Sequence, residues 1–139
     1  RLVDMVVEPF LVQSSVALAA AQRLLKRVCP ECKEAITVPA DALERFQYQP
    51  FDYIPNPQFV RGRGCPKCKD TGYKGRVAVI EAMLNWPEVQ PLVLKRASSQ
   101  DIKRTAIQCG MRTLRQNSLS KAAQGLTTLE QVHEHTIAD

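Results

Sequence analysis

The stretch GCPKCKDTGYKGRVAVIEAML, residues 64–84, carries two signals that determine how the chain folds. Two residues separate Cys65 from Cys68, a spacing that directs both sulfurs toward one point, and such a pair is half of a four-ligand metal site. The run RVAVIEAML, residues 76–84, follows a glycine and is rich in β-branched residues, so it predicts a short buried β-strand. The chain is therefore expected to pass directly from a metal knuckle into a sheet.

A second C-P-x-C motif completes the metal site. Cys29 and Cys32 match Cys65 and Cys68, and four thiolates form the tetrahedral set that Zn²⁺ prefers in structural sites. Disulfides and free thiols are the weaker alternatives, because no secretory signal indicates an oxidising compartment. An iron–sulfur cluster can also use four cysteines, but paired knuckles favour zinc. With four protein ligands no position is open to water, so we expect a structural metal.

The composition is globular and mildly basic. The chain has 139 residues, is 45% hydrophobic and carries a net charge of +5, which suits one compact domain or two small ones. This surplus is compatible with nucleic acid or an anionic membrane surface, although a solvated face is the simpler interpretation. The basic residues near the cysteines in sequence can also offset the double negative charge of a four-thiolate zinc; they are Lys33, Arg61, Arg63, Lys67, Lys69, Lys74 and Arg76.

Helices are predicted on both sides of the cysteine region. The stretch from Pro9 to Lys26 predicts helix, with QRLLKRV at its end ambiguous between helix and strand. Residues 29–75 contain six of the nine prolines and predict loops with one helix, PADALERF. So long a loop region requires something besides an apolar core to order it, and we expect the metal to do so.

The region after Pro87 is expected to be helical independently of the metal. Ser98 with Asp101 resembles a capping box, and so does Thr127 with Glu130. Gly110 and Gly125 are predicted helix ends.

Four further residues have reactive or polar side chains. Cys109 is interpreted as a small buried hydrophobe and not as a reactive thiol. His133 and His135 are two apart on a predicted helix and do not share a face, so a metal role is not expected. Glu81 interrupts the apolar strand, and it either faces a polar site or points to solvent.

No catalytic machinery is visible in the sequence. It contains no G-x-x-x-x-G-K-[ST] phosphate-binding loop and no recognisable nucleophile motif. The chain also begins at Arg1 without a methionine, and no segment reaches about eighteen consecutive apolar residues. We therefore expect a piece of a longer protein that, by itself, neither binds nor hydrolyses ATP and has no catalytic residue.

Three stretches carry a family resemblance: VEPFLVQSSVALAAAQRLLKRVCPEC, FVRGRGCPKCKDTGYKGRVAVIEAML and GMRTLRQNSLSKAAQGLTTLEQV. In this order they resemble the C-terminal part of the secretion-type AAA-like ATPases, which drive type II secretion and type IV pilus assembly. The GCxxCxxTGYxGR block and the closing GxTTLEQV are the most specific motifs. Departures are small: VAVIEAM lacks the aromatic that often precedes the glutamate, and RQNSL replaces a more acidic, glycine-containing sequence.

The resemblance implies a fold class: an α/β remnant of a RecA-like core with an inserted tetracysteine zinc-binding module, followed by an α-helical C-terminal domain. Residues 1–28 and 74–86 would be the end of the nucleotide-binding core, 29–73 the zinc insertion, and 87–139 the helical domain. Zinc would then close a long excursion so that the chain can re-enter the sheet.

The resemblance also implies the setting of the parent protein. Family members are cytoplasmic homo-hexamers, peripheral at the inner membrane, where they dock on a platform protein and cytoplasmic assembly proteins. ATP and Mg²⁺ would bind only to parts of the parent that precede Arg1, and no nucleic acid is expected.

Two other functions remain open from the sequence. A stand-alone zinc ribbon that binds nucleic acid would need exposed aromatics among basic residues. Tyr48, Phe51, Tyr53 and Phe59 cluster in the loop region, although buried filler is the preferred interpretation. A DnaJ-type chaperone domain is the weaker alternative, because that family has four C-x-x-C-x-G-x-G repeats and only two knuckles occur here.

Overall fold

A computed structural model of the chain describes residues 4–136 and shows a mixed α/β protein. No helix within this range is long and apolar enough to cross a bilayer. The elements in chain order are α1 (Pro9–Ser15), β1 (Leu18–Val28), β2 (Lys33–Ala35), α2 (Ala40–Arg45), β3 (Val60–Gly62), a 3-10 helix (Pro66–Cys68), β4 (Tyr73–Leu84), α3 (Gln90–Leu94), α4 (Ser99–Gln108), α5 (Leu114–Ala123) and α6 (Leu129–His135).

The long strands β1 and β4 pair in a two-stranded sheet. Beyond one end of the pair the Asn85 N–H donates to the Ala17 carbonyl at 3.0 Å, and beyond the other the Cys29 N–H donates to Gly72 at 2.9 Å, so the strands are antiparallel. The predicted strand at residues 76–84 is confirmed and begins three residues earlier. It is half-buried, not fully buried, because alternate side chains such as that of Ile80 are exposed.

The prediction of a helix from Pro9 to Lys26 is wrong for most of that stretch. Only Pro9–Ser15 is helical, and the alanine-rich residues Leu18–Val28 form β1. Helix propensity differs by only a few tenths of a kcal/mol between ordinary residues, so a strand partner outweighs it. β4 is that partner, about fifty residues later in the chain, and short-range periodicity does not indicate it.

The chain forms two compact units. The first consists of Arg1–Ala21 with Glu81–Thr113, and the second of Gln22–Ile80 with Leu114–Asp139. These units are defined by contacts, whereas the boundaries at 28, 73 and 86 refer to domains of a parent protein. Those boundaries stay a prediction.

The first unit has a small apolar core around Val89, Ala106 and Met111. Ser98 caps α4 as predicted, because its Oγ accepts the Asp101 N–H at 3.1 Å and donates to the Asp101 carboxylate at 2.7 Å. The helix ends at Gln108, just before the glycine that was predicted to stop it.

The second unit has one core to which the cysteine region and the last two helices both contribute. Ile54 and Phe59 pack with Leu119 of α5 and Val132 of α6. The strands β2 and β3 pair antiparallel at the base of this excursion. Residues 36–59 are therefore ordered by apolar packing as well as by their proximity to the cysteines.

Hydrogen bonds reinforce the same packing. The Tyr53 hydroxyl lies 2.7 Å from the Ser120 hydroxyl, and the Gln58 N–H donates to the Ala123 carbonyl at 2.8 Å. The guanidinium of Arg115, a buried residue, donates to the Phe46 carbonyl at 3.3 Å and lies over the Phe46 ring. α5 thus makes polar contacts along much of the excursion.

The cap of α6 is one residue later than predicted. Thr128 Oγ1 accepts the Gln131 N–H at 3.3 Å, so Thr128 and not Thr127 is the N-cap. The Thr127 hydroxyl instead donates to the Lys26 carbonyl in β1 at 2.8 Å. A contact with a distant strand thus decides which of two adjacent threonines caps the helix.

Candidate metal centre

The four predicted cysteines converge. The sulfurs of Cys29, Cys32, Cys65 and Cys68 all lie within 4.8 Å of one another. Cys29 and Cys65 are 3.9 Å apart at Sγ, as are Cys32 and Cys68, and Cys65 and Cys68 are 3.7 Å apart. A disulfide requires about 2.05 Å, so the thiols are free. Tetrahedral Zn–S bonds of about 2.3 Å place two sulfurs about 3.8 Å apart, close to these separations.

Secondary structure positions each knuckle. Cys29 follows the last residue of β1, and Cys32 precedes the first residue of β2. Cys65 and Cys68 bracket the short helical turn that leads into β4. Within each pair the second cysteine donates its N–H to the carbonyl of the first, at 3.4 Å and 3.1 Å respectively, which turns both side chains to one side.

Backbone amides also support the sulfurs. The N–H groups of Cys65 and Gly72 donate to Cys68 Sγ at 3.2 Å and 3.3 Å. Burial raises the pKa of the Cys68 thiol, but these two donors together with the Cys65 and Cys32 thiols outweigh burial and leave the pKa lower than usual. Burial raises the pKa of the Cys32 thiol, and the neighbouring sulfurs raise it further. Four thiolates this close together require a cation to offset their charge.

Two glycines allow the knuckles to meet. A Cβ on Gly62 would lie 2.0 Å from the Gly72 carbonyl oxygen, and a Cβ on Gly72 would lie 2.6 Å from the Gly62 oxygen. Gly72 also has a φ of +75°, which favours glycine. The Gly72 N–H donates to Cys68 Sγ in the second knuckle, and the Gly72 carbonyl accepts the Cys29 N–H of the first knuckle. Sequence reasoning did not identify this pair, although GRG and TGY beside the second knuckle were the signal.

Two of the seven nearby basic residues pair with carboxylates. Lys67 Nζ lies 3.1 Å from Glu31, and both occupy the variable position of a C-P-x-C motif. Arg61 pairs with Glu34 across β2 and β3. Both pairs are solvent-exposed, and in each pair the carboxylate offsets the positive charge of the basic residue. That basic residues offset the charge of a metal–thiolate centre stays a prediction.

The other singled-out polar residues lie apart from the sulfurs. Cys109 is half-buried and not fully buried as predicted, and its Sγ lies 3.7 Å from the Glu88 carboxylate; burial together with that charge raises the pKa of its thiol, which disfavours the reactive thiolate. The His133 ring packs edge-on against Phe46, and His135 Nδ1 lies 3.1 Å from a backbone carbonyl. In the described part of the chain only the four cysteines form a cluster suited to a metal.

The orientation of Glu81 was left open by the sequence. Glu81 is half-buried and lines a shallow cavity of the first unit together with residues such as Ala20 and Met83, so it is neither fully buried nor fully exposed.

The aromatic residues of the loop mostly fill the core. Phe59 is buried and Tyr48 and Phe51 are half-buried, with ring contacts of 5.4 Å between Tyr48 and Phe59 and 5.9 Å between Tyr48 and Phe51. Tyr53 is exposed at the surface, but its hydroxyl is engaged by Ser120. The prediction of buried filler is confirmed except for Tyr53, so these rings give the nucleic-acid alternative little support.

Comparison with known proteins identifies similar sequences along the chain. The model of the family described as type II/IV secretion system protein matches residues 1–134. The chain is 43% identical over 140 residues to the type IV pilus assembly ATPase PilB of Myxococcus xanthus and 38% identical over 137 residues to that of Thermus thermophilus. It is 37% identical over 134 residues to the type II secretion system ATPase E of Vibrio cholerae.

The matches cover most of this chain and a minor part of each relative. They include 100%, 99% and 95% of the chain, but only 25%, 15% and 25% of the three relatives. The chain thus spans about a quarter of the length of the curated relatives it matches, or less.

Proposed function

The chain belongs to the family of type II/IV secretion system proteins, and from this we propose that it is the C-terminal fragment of an ATPase motor that powers type II secretion or type IV pilus assembly. The support is the match along almost the whole chain and the ATPase names of the relatives. The relatives come from both systems at similar identity, so the proposal covers both.

Within that motor, the proposed role of this piece is structural zinc binding by Cys29, Cys32, Cys65 and Cys68. The observation that carries it is the convergence of four buried or half-buried sulfurs at tetrahedral separations. Zinc would supply a cross-link among four thiolates, with no open position for a reacting water. The chain's own residues position this cross-link, because Cys29 directly follows β1 and the second knuckle leads into β4.

We further propose that β1 and β4 are the end of a RecA-like nucleotide-binding core, with 29–73 inserted between them and 87–139 as the helical domain. ATP and Mg²⁺ would bind to other parts of the parent, and no residue of this chain would be catalytic. The parent would act as a cytoplasmic homo-hexamer at an inner-membrane platform, and this piece would contribute subunit and platform contacts.

The zinc proposal is tested by metal analysis of the purified chain. We expect one zinc ion per chain, loss of that zinc in Cys65→Ser, and full retention in Cys109→Ser. The proposal would be overturned if the unaltered chain contained no zinc. It would also be overturned if the mass of the chain were lower than that of its reduced form by the hydrogens lost in forming two disulfides.

The motor proposal is tested in the intact parent protein. We expect the parent to hydrolyse ATP and the 139-residue chain to show no turnover, since it lacks a phosphate-binding loop. In the organism that carries the gene, Cys65→Ser should abolish pilus assembly or secretion, and Cys109→Ser should not. A parent without ATPase activity would overturn the motor assignment and leave the zinc result intact.

A further inference from the structure

A groove on the surface of the second unit lies between the α2 region and α6. Its volume is about 470 Å³, and it will be called the α2–α6 groove. The floor is apolar and consists of Ile36, Val38, Ala42, Phe46 and Leu129. Leu129 belongs to the core of the unit, and Ile36, Val38 and Phe46 pack against that core while remaining partly exposed. The groove is thus an open edge of the core.

The rim of the groove is acidic. Glu130 and Glu134 are both exposed, and their spacing of four places them on one face of α6. α2 also carries Asp41 and Glu44, which are exposed but do not line the groove, and Arg45 donates to Asp41 at 3.4 Å. The groove lining contains two carboxylates and no lysine or arginine, so its net charge is −2 with histidine neutral, on a chain of net charge +5; the nearby Arg115 is buried and is not part of the lining.

Contacts within the protein hold the walls of the groove in place. Arg115 donates to the Phe46 carbonyl at 3.3 Å and to Thr136 Oγ1 at 3.3 Å, which connects the end of α2 to the end of α6. The His133 ring packs edge-on against Phe46, and Gln131 Nε2 donates to the Glu134 carboxylate at 2.7 Å. A preformed groove loses little conformational entropy when a partner binds.

We propose that the α2–α6 groove docks an amphipathic helix of a partner protein that carries apolar side chains on one face and lysine or arginine beside them. The apolar floor favours aliphatic or aromatic anchors at helical spacing, as in other helix-in-groove interfaces. The acidic rim selects a cationic segment, since complementary charge sets specificity and association rate. Another carboxylate-rich segment is disfavoured by like-charge repulsion.

The α2–α6 groove is separate from the cysteine cluster. None of the four cysteines lines the groove. Variants of the groove are therefore expected to keep their zinc, and zinc content provides an independent control on folding.

The test uses two short synthetic helical peptides that both have leucines at i, i+3, i+4 and i+7. In one peptide all remaining positions are lysine, and in the other all remaining positions are glutamate. Binding to the ¹⁵N-labelled chain is followed by amide chemical shifts. The lysine peptide should bind, with shifts concentrated in residues 36–46 and 129–136, and the glutamate peptide should not. Raising the salt concentration should weaken binding.

Charge reversal provides the sharper comparison. The Glu130→Lys/Glu134→Lys variant should bind the lysine peptide at least about tenfold more weakly and should gain affinity for the glutamate peptide. The matched control is Glu8→Lys/Asp52→Lys, which makes the same charge change at positions outside the groove. It should bind the lysine peptide much as the unaltered chain does.

Three results of the peptide experiments would overturn the inference: no binding of the lysine peptide, equal binding of both peptides, or equal weakening by both double variants. Sedimentation distinguishes a second copy as occupant. Self-association that disappears in Glu130→Lys/Glu134→Lys would assign the groove to another copy of this chain and refute a cationic partner helix.

Discussion

Two regions of the same excursion, both within the second unit, owe their order to different interactions. The knuckle region, residues 29–33 and 61–73, is organised around four sulfurs and the contact between Gly62 and Gly72. The aromatic region, residues 36–60, is held by burial of Ile54 and Phe59 against α5 and α6. We expect the first to depend on a cation that offsets the charge of four thiolates, while the second depends on the hydrophobic effect.

This contrast changes what metal removal should do. The sequence suggested that all of residues 29–73 depend on zinc, and that the helices after Pro87 do not. The shared core instead connects the aromatic region with α5 and α6. We therefore expect zinc removal to disorder the knuckle region and to leave the aromatic region ordered. Single substitutions in each region can separate the two kinds of order.

Gly62→Ala should disrupt the knuckle region most. Its Cβ would lie 2.0 Å from a backbone oxygen, which flexible side chains cannot relieve. We expect a loss of about 3 kcal/mol or more in stability and at least a tenfold fall in zinc affinity. Denaturant unfolding and competition with a chelator would measure the two effects. The matched control is Gly75→Ala, where nothing lies within 4 Å of the new Cβ and only the positive φ adds strain.

Leu119→Ala should weaken the aromatic region without removing zinc. Leu119 is 1% exposed in the shared core, and such truncations cost about 2–5 kcal/mol. Hydrogen exchange at the Gln58 amide, which donates to Ala123, should accelerate while zinc content stays unchanged. Leu94→Ala, at a residue 47% exposed, should cost far less. Loss of zinc in Leu119→Ala would show that the two regions are not separable.

Tyr48→Phe should stabilise the aromatic region slightly. The Tyr48 hydroxyl is buried and has no hydrogen-bond partner among residues 4–136, and burial, with a smaller contribution from Tyr53, raises the pKa of its phenol. An unsatisfied buried hydroxyl costs about 1–3 kcal/mol, part of which the substitution should recover. We expect a small rise in Tm. A fall of several degrees would reveal a hydrogen bond that the hydroxyl does make.

Lys67→Ala should have the smallest effect. The ion pair between Lys67 and Glu31 connects the two knuckles, but both side chains are more than half exposed. Exposed pairs contribute about 0–1 kcal/mol. Zinc affinity should change by less than about threefold, which is within that range. A tenfold loss would mean that charge at this position matters to the metal centre.

The sequence predicted the parts of the molecule that depend on local chemistry. The cysteine spacing, the β4 pattern and the Ser98 cap are each encoded within a few residues, and the structure places them as expected. β1 was missed because its strand partner is distant in sequence and its alanines favour helix. The Gly62–Gly72 contact and the core shared by Phe59 and Leu119 were missed for the same reason: both join residues that only the tertiary fold brings together.

Hydrogen exchange on the chain with zinc, and again after a strong chelator has removed the zinc, is the decisive experiment for the contrast between the two regions. We expect the amides of Cys29, Cys68 and Asp70, which donate within the knuckle region, to lose protection on zinc removal. The amides of Ile36 and Gln58 and those of α5 should remain protected. Loss of protection in both sets together, or unchanged protection of the knuckle amides without zinc, would contradict the division between metal-dependent and metal-independent order.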